Sequence, residues 1–189
     1  HRFELFSQLY SYKMDHESFE DVTAHLNEGA IKFPWMIGFY EMAISGHTQM
    51  GIQNFHSEDE ESMQGNFTAA KEYYELIQEK VEFLTTLPEE QLQGRMFRVT
   101  DQIALNMGQI YYYQEEFESA ARLLEEQLLN PSNSLPTDED NENIYEELKR
   151  WYGASLANLE QPESLHNDDL LDSTNYADLN IEDILSIHS

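Results

Sequence analysis

Apolar residues in this chain recur every three or four positions, a spacing that places them along one face of an α-helix. The longest of these stripes consists of Phe67, Ala70, Tyr74, Ile77, Val81 and Leu84. Shorter stripes run through residues 19–26, 103–111, 117–128 and 144–159. The apolar alternation that is typical of β-strands is nearly missing. We therefore predict an all-α chain.

Prolines separate the periodic stretches, because a helix cannot continue through them. These breakers are Pro34, Pro88, Pro131 and Pro162. The helices between them fall into pairs. The second helix of each successive pair is predicted to open at Phe19, Phe67, Phe117 and Leu165. The spacings of 48, 50 and 48 residues indicate a repeated helix hairpin, and stacked hairpins form an α-solenoid.

The best-formed unit reads DQIALNMGQIYYYQEEFESAARLLEEQLLNP from Asp101 to Pro131. Its first helix has a large residue followed by Gly and an aromatic residue one turn later, and its second helix has an Ala and a large apolar residue before a closing Pro. These residues are Met107, Gly108, Tyr111, Ala120, Leu124 and Pro131. In this pattern the unit resembles a tetratricopeptide repeat (TPR). Gly108 removes a side chain where two helices cross, and Ala120 admits the second helix.

A second copy of the repeat is indicated upstream. Met50 and Gly51, followed by Phe67 and Ala70, look like the same pattern. Between them we predict an insertion of about seven residues relative to the best-formed unit. It corresponds to the acidic stretch His56–Gln64.

The resemblance implies an all-α, right-handed α-solenoid of about four TPR-like antiparallel helix hairpins with a C-terminal capping segment. We expect this repeat domain to span residues 1–172. Residues 173–189 then form an acidic tail or a capping helix over the last hairpin, and a short docking motif is the other interpretation of this tail. A generic helical bundle is the alternative to the solenoid.

TPR arrays line a concave groove with the first helix of each hairpin and bind a peptide or a partner helix there. The resemblance therefore implies a set of partner-binding positions in this chain: Gln102, Leu105, Gln109, Tyr112, Tyr113, Thr48, Ile52, Phe55 and Arg150. We expect Tyr112 and Tyr113 to be the anchors, because a tyrosine buries a large area and keeps a hydroxyl in water. The alternative for this pair is packing against a neighbouring hairpin.

The charge of the chain limits its partners. Ten Lys and Arg residues stand against 37 Asp and Glu, which gives a formal net charge of −27. Binding to nucleic acid or to an anionic membrane is excluded, since both require clustered basic residues. No apolar run approaches the roughly 18 residues of a membrane span. The negative surface favours a basic or amphipathic protein or peptide and speeds its association.

Catalytic and metal-binding spacings are not found. The chain has no cysteine, and it contains no His-Glu-x-x-His, P-loop or Gly-x-Ser-x-Gly motif. Asp138, Asp140 and Glu142 are spaced like the start of an EF-hand loop, but its sixth and twelfth positions need Gly and Glu and hold Asn143 and Lys149. We therefore expect no metal, no cofactor and no catalysis.

These observations favour a cytoplasmic interaction module that acts as an adaptor or a chaperone. A peptide-sensing regulatory domain and an acidic nucleic-acid mimic that inhibits a basic protein are the alternatives. An enzyme, with side chains from different helices meeting in a groove, is the rival from another class. Because position 1 is His rather than Met, we expect a fragment or a processed chain.

Overall fold

A computed structural model describes residues 19–88, 97–131 and 139–159, without the side chains of residues 19–21 and 139–142. Within these ranges the chain forms six α-helices and no β-strand, which confirms the all-α prediction. The helices are α1 (Phe19–Lys32), α2 (Ile37–His56), α3 (Glu60–Thr85), α4 (Asp101–Tyr113), α5 (Phe117–Leu129) and α6 (Glu139–Ala157). The chain divides into two compact units, His1–Val99 with α1–α3 and Thr100–Ser189 with α4–α6.

Several predicted features lie outside the described residues. They include the tail at 173–189 with its predicted boundary after residue 172, and the hairpin predicted to open at Leu165. The side chains of the segment at 138–142 that resembles the start of an EF-hand loop also lie outside them.

In the first unit α2 packs along α3, and α1 packs against α2. The side chains that fill the space between these helices are each at most 1% exposed: Val22, Leu26, Phe39, Ala43, Ile44, Phe67, Ala70 and Ile77. The stripe predicted for α3 is confirmed, since all of its residues are buried except Val81, which is half-buried. Removing this apolar surface from water is the main favourable term in the folding of the unit.

In the second unit α5 packs on α4, and α6 packs against both. Its innermost side chains are again at most 1% exposed: Ile103, Ala104, Met107, Ile110, Ala120, Ala121, Leu124, Leu148, Trp151 and Tyr152. A buried hydrogen bond of 2.6 Å, donated by Gln127 Nε2 to Asp101 Oδ1, joins the last turn of α5 to the first turn of α4. The two helices therefore run antiparallel.

Two glycines allow the helices of each hairpin to approach closely. A Cβ added to Gly51 in α2 would come within 2.3 Å of the Phe67 ring in α3. A Cβ added to Gly108 in α4 would come within 2.7 Å of the Leu124 side chain in α5. The prediction that Gly108 lies at a helix crossing is thus confirmed. In both hairpins the partner stands sixteen residues after the glycine, so the two crossings share one register.

The turns of the two hairpins are also alike. Residues 57–59 join α2 to α3, and residues 114–116 join α4 to α5. In each turn three backbone N–H groups donate to carbonyls in the last four residues of the preceding helix, at 2.8–3.1 Å. The middle residue of each turn, Glu58 or Glu115, lies in the left-handed region with φ of 60° or 61°. Equivalent residues of the two hairpins are therefore 57 positions apart.

This equivalence corrects two predictions. The stretch His56–Gln64 is not an insertion, because the turn it contains is as long as the turn of the second hairpin and Glu60 already begins α3. Phe67 is not equivalent to Phe117, because the glycine contact pairs Phe67 with Leu124. The extra residues of the first hairpin lie at its far end, since α3 has 26 residues and α5 has 13.

Each of these second helices begins differently. The Asp59 carboxylate accepts a hydrogen bond of 3.1 Å from the Ser62 backbone N–H and so caps α3. Hydrogen bonding from the Ser62 side chain, and then from this backbone N–H, lowers the pKa of Asp59. At the start of α5, Glu116 makes no such cap. The acidic turn of the first hairpin therefore has a structural role at a helix N-terminus, where negative charge is favourable.

The glycine crossing can be tested by a pair of alanine substitutions. We expect Gly51→Ala to destabilise the protein by about 1–3 kcal/mol, because the methyl group would displace the buried Phe67 ring. Gly65→Ala on α3 should stabilise it by about 1 kcal/mol, since alanine favours helix more than glycine does and nothing lies within 4 Å of the added carbon. Urea unfolding followed by circular dichroism measures both. Equal stabilisation at the two positions would contradict the tight crossing.

Candidate binding site

The residues predicted to bind a partner differ widely in exposure. In the first unit Thr48 is buried and its hydroxyl donates to the Ile44 carbonyl at 2.7 Å. Ile52 is half-buried. Phe55 is 43% exposed, which makes it the most accessible apolar residue of the predicted set. In the free protein Phe55 can therefore contact a partner without any rearrangement of α2.

In the second unit the predicted positions are buried or half-buried. Leu105 is buried, and Gln102 and Gln109 are half-buried. The Arg150 guanidinium forms an ion pair of 2.5 Å with Glu147 on the same helix. As partner contacts these positions stay predictions, and a partner would have to compete with Glu147 for Arg150.

Tyr112 and Tyr113 pack against α6. The Tyr112 ring is buried and lies 5.1 Å from the Trp151 ring and 5.3 Å from the Phe117 ring, centroid to centroid. Asn158 Nδ2 donates to the Tyr112 hydroxyl at 3.3 Å. Tyr113 lies 5.9 Å from Trp151, and burial raises the pKa of its hydroxyl to about 12. In the free protein the contacts of Tyr112 are thus those of a packed side chain, which is the alternative stated for this pair.

A cavity of about 560 Å³ opens beside the turn between α2 and α3. We call it the Phe55 pocket, and it is lined by Phe55, His56, Glu58, Glu60 and Met63. Neither carboxylate forms an ion pair within the described ranges of the chain. An exposed aromatic ring, a thioether and two carboxylates therefore border one cavity. The sequence signal for it is the run of acids that begins at Glu58, within the stretch predicted to be an insertion.

A second cavity, of about 510 Å³, lies among the three helices of the first unit. We call it the asparagine cleft. It is lined by Thr23, Ala24, Asn27, His47, Met50, Asn54, Ser62 and Asn66. Sequence reasoning missed this cleft, because its residues come from three helices and share no linear spacing. Two of them, Asn54 and Ser62, lie three positions before and three positions after the α2–α3 turn.

His47 is held in place on two sides within the asparagine cleft. Its Nδ1 lies 2.9 Å from Asn66 Oδ1, and its ring stacks on the Tyr73 ring at 6.1 Å. The Tyr73 hydroxyl in turn donates to Asn27 Oδ1. Burial lowers the pKa of His47, while the hydrogen bond to Asn66 and the charge of Glu72 oppose this shift. Burial therefore favours the neutral form of His47.

Aromatic rings also cluster between the start of α2 and the end of the first unit. Trp35 and Phe83 are 40% and 49% exposed, and their rings contact one another. The Phe97 ring lies 5.9 Å from the Trp35 ring, centroid to centroid. Lys80 Nζ lies 5.1 Å from the Trp35 ring centroid and 5.9 Å from that of Tyr40. The charge of Lys80 thus contacts aromatic faces of its own unit.

Within the described ranges no group of three or more His, Cys, Asp or Glu residues is arranged to hold a metal ion. None of the helices in these ranges combines the length and apolarity needed to cross a bilayer.

Comparisons of the chain with family models, with curated proteins and with solved structures found no match. The resemblance of residues 101–131 to a TPR therefore stays an expectation. Function is inferred from the geometry and charge of the described residues.

The lowered pKa of His47 predicts a pH dependence of stability. The unfolded chain, with an ordinary histidine pKa of about 6.5, takes up the proton more readily than the folded chain. The contribution of His47 should therefore be fully present above about pH 6.5 and be lost as the pH falls from there through the folded pKa. Unfolding free energies from urea titrations at pH 5 to 8 measure this loss.

The variant His47→Gln should remove that part of the pH dependence. His56→Gln, at an exposed histidine of the same helix, is the matched control and should leave it in place. If His47→Gln and the wild type lose stability in parallel over this pH range, the protonation of His47 does not destabilise the fold.

Proposed function

We propose that this chain is a non-catalytic interaction module that binds a basic or amphipathic peptide segment of a partner protein. The observation that supports this best is the Phe55 pocket, where a ring that is 43% exposed lies beside two carboxylates. The pocket volume of about 560 Å³ falls in the range of about 300–1,000 Å³ that is usual for ligand sites.

The lining of the pocket suits a lysine or arginine side chain. The aliphatic stem of such a residue can pack on Phe55 and Met63, and its cationic end can reach the carboxylates of Glu58 and Glu60. A hydrogen bond between a cation and a carboxylate is about twice as strong as one between neutral groups. The face of Phe55 adds a cation–π attraction.

The charge of the chain also favours a cationic partner. Within the described ranges, four basic side chains form ion pairs with an acid three or four positions away on their own helix: Lys32 with Glu28, Arg122 with Glu118, Lys149 with Glu146 and Arg150 with Glu147. Because a net charge of −27 produces a negative potential around the molecule, it attracts a cationic partner and raises the association rate.

The two hairpins with one register support a repeat architecture, and we extend the proposal to a right-handed TPR-like solenoid that presents a groove. In this arrangement an adaptor or chaperone role is the function we favour. The groove residues of the proposal are those predicted from the resemblance, with Phe55 as the accessible anchor in place of Tyr112.

The proposal is tested with a short fluorescein-labelled peptide of lysine, leucine and alanine, titrated with the full chain. We expect the triple variant Phe55→Ala, Glu58→Gln, Glu60→Gln to weaken binding at least tenfold, because it removes about 1.4 kcal/mol or more of contact energy. Fluorescence anisotropy at about 0.15 M salt, where the Debye length is about 8 Å, measures the affinity.

The control variant removes one exposed apolar side chain and two carboxylates at another place on the first unit. Leu76 is 44% exposed and Glu75 and Glu79 are exposed, all three on α3 and outside the pocket. We expect Leu76→Ala, Glu75→Gln, Glu79→Gln to change the affinity less than twofold, since none of these side chains lines the pocket. If both triple variants weaken binding equally, bulk charge alone holds the peptide and the pocket has no part in it.

A further inference from the structure

The asparagine cleft differs from the rest of this acidic chain in its lining. Among the described residues that border it, six are polar and none is Asp, Glu, Lys or Arg. This holds although the chain contains 37 acids and ten bases. The lining therefore provides no carboxylate, ammonium or guanidinium group to hold an ion, and it suits an uncharged ligand that hydrogen-bonds.

One side of the cleft is fixed by a hydrogen-bond chain. Asn66 Nδ2 donates to the Ser62 carbonyl at 3.0 Å, which sets the orientation of its side-chain amide. Asn66 Oδ1 therefore faces His47 Nδ1 at 2.9 Å and accepts a hydrogen bond from its N–H. Since Asn66 and His47 are held by these bonds, little ordering of this side of the cleft is required when a ligand binds.

The other side of the cleft presents amide groups. The side chain of Asn54 is half-buried and makes no hydrogen bond with any residue that the structure describes. Asn27 also lines the cleft, and its Oδ1 accepts a hydrogen bond from the Tyr73 hydroxyl. A carboxamide offers a donor and an acceptor side by side, and a peptide unit presents the complementary acceptor and donor.

The remaining lining favours a peptide over a sugar. Carbohydrate binding commonly uses an open aromatic face, but Tyr73 is buried and its ring stacks on His47. Met50 supplies a flexible apolar contact that tolerates different side chains. The volume of about 510 Å³ lies in the range of ligand sites.

Some residues that line the cleft are adjacent in sequence to residues that line the Phe55 pocket. Asn54 lines the cleft and Phe55 lines the pocket, and on α3 the same is true of Ser62 and Met63. Consecutive residues on a helix point about 100° apart. The two cavities therefore draw neighbouring residues from the same two helices.

We propose that the asparagine cleft binds the main-chain amides of a peptide, with Asn54 as the two-point hydrogen-bonding contact. The inference rests on the proposed peptide-binding function. It adds that the cleft binds the peptide backbone while the Phe55 pocket binds a cationic side chain. The cleft accordingly accepts peptides of different sequence.

The test uses the full, 15N-labelled chain and capped trialanine, an uncharged peptide without a cationic side chain. Titration should shift the side-chain amide resonances of Asn54 and Asn27. A trialanine with methylated backbone nitrogens keeps its carbonyls but has no donor, and it should bind at least fivefold more weakly. Asn54→Ala should weaken the binding of capped trialanine roughly five- to tenfold, the value of one lost hydrogen-bonding pair.

Gln53→Ala is the matched control, because it removes an exposed carboxamide from the adjacent position of α2. It should leave the affinity for capped trialanine unchanged. The comparison of the two trialanines needs no variant, so it decides the question even if Asn54→Ala alters the fold.

Three results would overturn the inference: no shift at Asn54 or Asn27 at tens of millimolar trialanine, equal binding of the methylated peptide, or shifts produced by glucose and not by trialanine. If trialanine fails while the lysine-containing peptide still depends on Phe55, the backbone inference alone is wrong. If the pocket variant has no effect while trialanine binds through Asn54, the cationic-partner proposal is the one that fails.

Discussion

The close crossing of two helices at a glycine is the contact on which the rest of each hairpin depends. Where Gly51 meets Phe67, and where Gly108 meets Leu124, the absence of one Cβ lets a large side chain lie directly on the backbone of the neighbouring helix. Such a contact tolerates no added volume, because protein interiors are packed as densely as organic crystals. This contact sets the position of the two helices along one another, and with it the position of the turn.

Both candidate cavities take lining residues from the two helices that the turn of the first hairpin joins. With the crossing fixed, only residues 57–59 join the helices, so the last turn of α2 and the first turns of α3 lie side by side. The left-handed backbone of Glu58 and the cap formed by Asp59 complete this corner. The acids that line the Phe55 pocket are thus held by a rigid corner rather than by a long loop, which reduces the entropy lost on binding.

Much of the fold could be predicted from the sequence because helical periodicity is a local signal. The stripe through Phe67, Tyr74 and Leu84 is buried as predicted. The correspondence between residues of the two hairpins was harder to predict. Phe67 and Phe117 look equivalent by spacing, but the residue that meets the glycine is Leu124 in the second hairpin, and aromatic identity alone does not indicate which residue that is.

The candidate sites were less predictable for a similar reason. Phe55 was identified as a binding position through the resemblance, and it is exposed. The asparagine cleft depends on α1 lying against α2, a tertiary contact that no spacing within one helix encodes. The packing of Tyr112 on Trp151 likewise joins residues from helices far apart in sequence. Periodicity shows which residues face inwards but does not show what they face.

The short span between each glycine and its partner also bears on how the protein is made. Closing a turn of a few residues costs little chain entropy, and helical proteins with such local contacts fold in about microseconds to milliseconds. Ribosomes add only about 5–20 residues per second. Since the two hairpins belong to separate compact units, the first can close on Phe67 while the second is still being translated. The order of synthesis and the order of assembly then coincide.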